Sequence, residues 1–402
     1  MLPSAVWLLS LLVASQDWPQ HLGPTRDGVY AGGLVSKAAP HLVWKMDVGQ
    51  GFSAPVVKGG RLILFHRVDN RERVDAIDAK TGELLWSSDY ATAYRDDFGF
   101  DEGPRATPTI AGGRVFTFGA QGILQALDFE TGKKIWSVDT RARFGVRKGW
   151  FGAASSSLVV EDKLLHNVGG RDGAGIVAFD TATGKVLWQA TDDEVSYSSP
   201  TRTGSDSVFF TKSGLVVLDI DSGAVRYEKR WRSRSNASVN GATPLVIGDI
   251  DIDVDVVFIS ASYGTGASVL KMSAEGLEEL WSSDDALSNH YATAVHRDGV
   301  LYGFHGRQEY GQAFRAIDLT SGKVHWSVDR FMAGTVTLSG DRLVILRESG
   351  ELVIAEASPE AFRVLGRAEL LPAVVRAYPA LADGHLYVRN ERTLACFKLE
   401  KN

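Results

Sequence analysis

Cysteine is almost missing from this chain: Cys396 is the only one in 402 residues. A lone cysteine excludes an intramolecular disulfide, a multi-cysteine zinc site and the paired thiols that carry a c-type haem. Basic runs are missing as well. Forty-three Lys and Arg stand against 49 Asp and Glu, a net charge of -6 with the signs interspersed, so there is no electropositive footprint for nucleic acid. Long apolar runs are also absent. The one extended run, Ala5 to Ala14, is too short to span a bilayer and ends in the small residues Ala14 and Ser15. It has the shape of a secretory signal peptide, although no Lys or Arg precedes it, and no cysteine follows it to carry a lipid. The expectation is a signal peptide at 1–15, an extension at 16–39 and a single domain at 40–402, in a periplasmic or secreted protein.

Familiar catalytic signatures are scarce too. None of the nine histidines falls in an H-E-x-x-H pair. The glycine-rich "NVGGRDGAG" from Asn167 is followed by no helical pattern that would present amides to a phosphate, and Ser155, Ser156 and Ser157 lack a nucleophile-elbow context. Asp249, Asp251, Asp253 and Asp255 alternate with apolar residues along one strand, without the glycine and distal glutamate of an EF-hand, and read as an exposed strand face.

What the chain does have is a repeat. "AIDAKTGELLW", "ALDFETGKKIW", "AFDTATGKVLW" and "AIDLTSGKVHW" place Asp78, Asp128, Asp180 and Asp318 four residues before Gly82, Gly132, Gly184 and Gly322. In each, a tryptophan (Trp86, Trp136, Trp188, Trp326) lies four residues after the glycine. Weaker copies end at Tyr227 and Trp281, and remnants stand at Trp44 and Leu365. The eight slots are spaced by about 46 residues, which suits one four-stranded propeller blade per step. The alternating apolar residues before the aspartate make a half-buried strand, the aspartate accepts amides of the turn, and the glycine supplies its positive φ. The tryptophan then lies on the outer strand, where its ring can wedge between blades. Small-residue elements such as "SAPVV" at Ser53, "ATPTI" at Ala106 and "AYPAL" at Ala377 suit the crowded innermost strands.

Counting gives eight inner sets, an outer strand at Trp44 ahead of the first and none after the last. The expected fold is therefore all-β, an eight-bladed propeller of four-stranded antiparallel blades, closed by pairing the Trp44 strand with the Cys396 strand. Seven blades is the alternative, because the Leu365 copy has lost its glycine and its tryptophan.

The string A-x-D-x-x-T-G-x-x-x-W resembles the tryptophan-docking repeat of bacterial pyrroloquinoline quinone (PQQ)-like propellers, over nearly the whole chain after the apolar run. "DWPQHLGPTRDGV" (Asp17 to Val29) resembles the segment that opens exported members. Catalytic members of that group hold a quinone over the axis with calcium, beneath a ring of adjacent disulfide-bonded cysteines, a ring this chain cannot make. A BamB-like branch has the same repeats, holds no cofactor and docks proteins. The resemblance therefore implies a non-catalytic scaffold, read as a monomer that binds a protein partner or a small anionic or sugar-like ligand. No cofactor is expected; the alternative is an oxidoreductase of alcohols or sugars using PQQ with calcium.

Loop lengths point to one face. The Asp-to-Gly turns are uniformly short, whereas the connections on the opposite face are long at 90–105, 140–152, 167–175 and 304–313. Variable loops gathered on one face mark where a scaffold binds. The candidates there are Arg67, Asp97, Arg105, Trp150, Tyr197, Tyr263, His290, His305 and Arg307, a mixture able to line a funnel for an anionic or sugar-like ligand. The stretch Tyr94, Arg95, Asp96, Asp97, Asp101 and Glu102 could offer carboxylates to a hard cation, but reads better as solvated loop charge.

Overall fold

In the computed structural model, residues 16–33, 39–235, 239–248 and 255–399 are described. The expected signal peptide at 1–15 and the aspartates at 249, 251 and 253 lie outside the described residues.

Each repeat folds into one antiparallel sheet because its four apolar runs alternate around tight turns. In blade 1 the strands are Val56–Lys58, Arg61–Val68, Arg71–Asp78 and Leu84–Ala91, hydrogen-bonded in that order from the axis outward. Blades 2 to 7 repeat the plan at 109–139, 158–190, 201–230, 245–283, 295–328 and 334–369. Blade 8 takes its three inner strands from Ala380–Ala382, His385–Arg389 and Thr393–Lys398, and its outer strand from His41–Asp47. Trp44 is paired with Cys396, so the two ends of the chain close the ring and remove the open edge. There are eight blades; the seven-blade alternative fails.

The repeat's glycine has a second cause that the turn alone did not reveal. Trp86 Nε1 donates to Phe129 O of the next blade at 3.1 Å, Trp136 Nε1 to Thr181 O at 2.9 Å, Trp188 Nε1 to Ile220 O at 3.0 Å and Trp281 Nε1 to Leu319 O at 2.7 Å. Each ring thereby lies flat on the next blade's turn. A Cβ on Gly132 would stand 2.3 Å from Trp86, and one on Gly184 2.7 Å from Trp136. Glycine is needed both for φ near 70° and for the ring that covers it. A bulge recurs between the third and fourth strands of every blade, next to the tryptophan slot, and reaims the outer strand toward its neighbour. Leu365 lost its tryptophan for a topological reason. Blade 8 draws its third and fourth strands from opposite ends of the chain, so it has no turn there for a ring to dock on.

Blade interiors hold few ionisable groups, and His166 is one. Its ring is fully buried between Ser155 Oγ (3.4 Å) and Ser157 Oγ (3.0 Å), edge-on to Phe118 at 4.1 Å. Burial first, and the Arg26 charge second, push its pKa down from 6.5 to about 3. The native pKa lies below the unfolded one, so the unfolded chain takes up the proton first. Stability is therefore expected to fall as pH drops from about 6.5 toward 3, by roughly 1.4 kcal/mol per pH unit for this group. Melting curves of wild type and His166→Gln check this: the variant should show a flatter acid limb, and parallel limbs would refute it.

Candidate functional site

The eight segments that enter the innermost strands converge on the axis, and a period of two selects which side chains face it. Arg105 and Thr107 face the axis ahead of blade 2, Tyr197 and Ser199 ahead of blade 4, and Arg376 and Tyr378 ahead of blade 8. Together with Phe52, Phe100, Phe151, Tyr263, His290, Tyr291 and Glu348 they line a funnel of about 520 Å³ on the loop-rich face.

The floor of the funnel comes from the N-terminal extension. Trp18 exchanges two backbone hydrogen bonds with Val57 of blade 1, both 2.8 Å, and Pro19 O accepts from Ile110 N of blade 2. Arg26 Nη1 donates to Ser157 O of blade 3 at 2.8 Å, and Val29–Tyr30 runs parallel to Leu338 and Ser339 of blade 7. Trp18 and Leu22 are each 1% exposed. This segment is a plug threaded along the axis. His21 sits at its tip in the funnel floor, edge-on to Tyr378 at 5.2 Å, and burial, helped by Arg26, lowers its pKa to about 3 and keeps the ring neutral.

Cations and aromatic rings share the wall. The Arg376 guanidinium lies 5.3 Å from the Phe52 ring centre and 5.4 Å from that of Phe100, while Arg105 lies 5.6 Å from Phe52 and 5.8 Å from Phe151. Glu348 accepts from Arg376 Nε at 2.8 Å, Tyr291 Oη at 2.6 Å and Gln308 Nε2 at 2.8 Å. Burial, reinforced by the Glu348 charge, raises the Tyr291 pKa well above 10. Tyr263 has φ 69°, a left-handed conformation costing roughly 1–3 kcal/mol in a bulky residue. It is wedged between Arg307, 4.6 Å over its ring, and His290, whose Nε2 lies 2.9 Å from its hydroxyl. Burial is the main cause that lowers the His290 pKa.

Four of the nine sequence candidates, Arg105, Tyr197, Tyr263 and His290, share the funnel wall. The others lie elsewhere. Arg67 is 2% exposed and ties loops together through Asp69 O, Asn70 Oδ1, Tyr94 O and Glu102 O. Asp97 pairs with Lys148, and Arg307 buttresses Tyr263 while pairing with Glu309 at 2.9 Å. His305 Nδ1 accepts from Ser288 N at 3.1 Å, and burial takes its pKa to about 4. Trp150 stands at the wall of a neighbouring cleft of about 450 Å³ that Tyr197 also lines.

The acidic stretch is not solvated charge throughout. The Asp96 carboxylate is fully buried and accepts from Arg105 at 3.1 Å and Phe100 N at 2.8 Å, while Asp101 accepts from Gly51 N at 3.0 Å and Gly103 N at 2.6 Å. These carboxylates hold the 94–105 loop in shape.

Sequence reading missed Phe52, Tyr291, Arg376 and Glu348. The first three carried a usable signal, since each stands immediately before its small-residue element, as Arg105 and Tyr197 do. Glu348 sits in the tight "RESG" turn and carried none.

A quinone held by calcium needs about six to eight oxygen ligands around the ion. The funnel's carboxylates, Glu309 and Glu348, already have cationic partners, and among the described residues no three His, Cys, Asp or Glu side chains converge as a metal site requires. Cys396 is buried in blade 8, with its pKa raised to about 12 by burial. The donor set does not fit that cofactor.

A family model described as outer membrane protein assembly factor BamB matches residues 32–191 and 70–326, together most of the chain. The chain belongs to this family of PQQ-like propellers. Relatives include the BamB of Yersinia pestis, 23% identical over 76% of this chain and 77% of that protein. The dehydrogenase subunit of quinone alcohol dehydrogenase from Komagataeibacter europaeus is 30% identical over 43% of this chain. The chain spans about a quarter of that subunit's length, 24%. Among solved structures, quinohemoprotein alcohol dehydrogenase from Comamonas testosteroni superposes with a TM-score of 0.74 at 16% identity, covering 96% of this chain and 81% of that one. BamB from Moraxella catarrhalis gives 0.65 at 15%, covering 91% and 99%. These structures share the fold with both branches.

Proposed function

We propose that this protein is an exported, non-catalytic scaffold that docks a protein partner on its loop-rich face. The observation that carries the reading is an exposed aromatic patch. Phe98, Phe100 and Trp150, from two different interblade loops, are 49%, 52% and 48% exposed. They stack at 6.1 Å (Phe98 with Phe100) and 5.9 Å (Phe98 with Trp150), beside Phe151 in the funnel wall. Water-facing rings held together are costly unless something covers them, and such patches mark interaction sites. The relatives named as assembly factors span most of this chain, which supports the same reading. No helix among the described residues is long and apolar enough to cross a membrane.

A photo-crosslinking side chain at position 98, in the native host, tests it. We expect an adduct with one defined protein, lost in Trp150→Ser, and none from a crosslinker at position 133 on the turn face. Equal labelling from both faces, or none at 98, refutes the reading.

The rival reading, a cofactor-dependent oxidoreductase of alcohols or sugars, draws on the relatives named as quinone dehydrogenases. Protein reconstituted with the quinone and calcium is expected to give no dye-linked oxidation of alcohols or aldoses. Oxidation that is absent from a quinone-free control would establish the rival.

A further inference from the structure

The funnel beside the aromatic patch has an unequal balance of donors and acceptors. Its carboxylates are occupied: Glu348 by Arg376, Tyr291 and Gln308, and Glu309 by Arg307. Its guanidiniums are less so. Arg376 uses only Nε, toward Glu348, and neither Nη nitrogen is among the atoms enclosed without a partner, so both remain open to the funnel. Arg105 Nη1 is enclosed with no acceptor at all. The remaining valence of the wall is positive. The Nε bond and the flanking Phe52 and Phe100 rings fix the Arg376 plane before anything binds, so little side-chain entropy is lost on recognition. A planar fork set in an aromatic wall suits a carboxylate with an apolar group beside it.

We propose, resting on the scaffold reading above, that the funnel receives a carboxylate from the docked partner, with Arg376 as its fork and Phe52 and Phe100 packing the neighbouring apolar group. The carboxylate comes from a chain terminus or from an acidic side chain, and both present the same chemistry. The ring patch continues into the funnel through Phe100, which belongs to both, so a segment lying on the patch reaches the fork without leaving the surface.

Calorimetric titration of the mature chain with three N-acetylated peptides tests this: Gly-Leu-Leu as the free acid, the same peptide as its amide, and Leu-Glu-Leu as its amide. Binding by the first alone assigns a chain terminus, by the third alone an acidic side chain, and by both a general carboxylate. Affinity should fall about tenfold or more in Arg376→Ala, the loss of one charge-assisted fork, and should weaken with added salt. Arg376→Lys keeps the charge without the fork and should recover only part of it. The inference is overturned if the Gly-Leu-Leu amide binds as tightly as the carboxylate peptides, if no peptide binds, or if Arg376→Ala binds as wild type does with an unchanged melting temperature. Crosslinking at position 98 is read separately. A crosslinked partner with a funnel that takes no peptide sinks this inference and leaves the scaffold reading standing; the reverse pattern sinks the scaffold reading.

Discussion

Deleting residues 16–50 is expected to abolish cooperative folding. The deletion removes two structural parts at once. The plug contributes Trp18, Leu22 and Tyr30, each at most 5% exposed, and burying such a side chain is worth about 1.5–3 kcal/mol. The outer strand of blade 8, His41–Asp47, goes with it and leaves Thr393–Lys398 as an unpaired edge in an otherwise closed ring. The combined loss reaches the 5–15 kcal/mol that typically separates a folded domain from its unfolded chain. A shorter deletion keeps the strand: removing 16–33 alone should leave a closed ring that melts cooperatively at a lower temperature. Circular dichroism and light scattering separate the two, with aggregation from the longer deletion and a soluble β-protein from the shorter. If the longer deletion melts where the undeleted chain does, closure through the Trp44 strand contributes nothing.

The ring was legible in the sequence because its determinants are local and repeated. The spacing of Asp128, Gly132 and Trp136 reports a turn and a docking ring within nine residues, and several copies corroborate each other. The closure at Trp44 was legible for the same reason: one outer strand stood ahead of the first set and none followed the last. The plug was not. Trp18, His21 and Arg26 make their contacts with residues as distant in sequence as Tyr378, and nothing local distinguishes a segment that threads an axis from a frayed extension. The funnel was half legible. Long loops and polar residues pointed to the face that holds the funnel, and four candidates share its wall. Arg67 shows why the rest do not. A guanidinium in a long loop reads the same in sequence whether it faces a ligand or, as here, four carbonyl and amide oxygens of its own loops. The alternation that places Phe52 and Arg376 on the axis was in the sequence, one residue ahead of each inner element, but it was read as strand packing rather than as a direction.

Replacing Trp136 by alanine is expected to cost about 3–5 kcal/mol, the range for removing a large aromatic from a packed core. Trp136 is 8% exposed, donates to Thr181 O at 2.9 Å and covers Gly184, so the cavity opens between blades 2 and 3 where neither sheet can collapse into it. Gly184→Ala tests the same contact from the other side. In wild type its Cβ would meet the indole at 2.7 Å and sit at φ 69°, so ring clash and backbone strain add. In the Trp136→Ala background the clash disappears and only the strain of a left-handed alanine remains, roughly 1 kcal/mol. The two substitutions should therefore couple strongly, with the double variant more stable than the sum of the single losses predicts. Chemical denaturation of the four proteins measures that coupling directly. Additive losses would mean that the glycine is required by its turn alone, and the docking of each tryptophan on the next blade's turn would no longer explain why the two residues recur together.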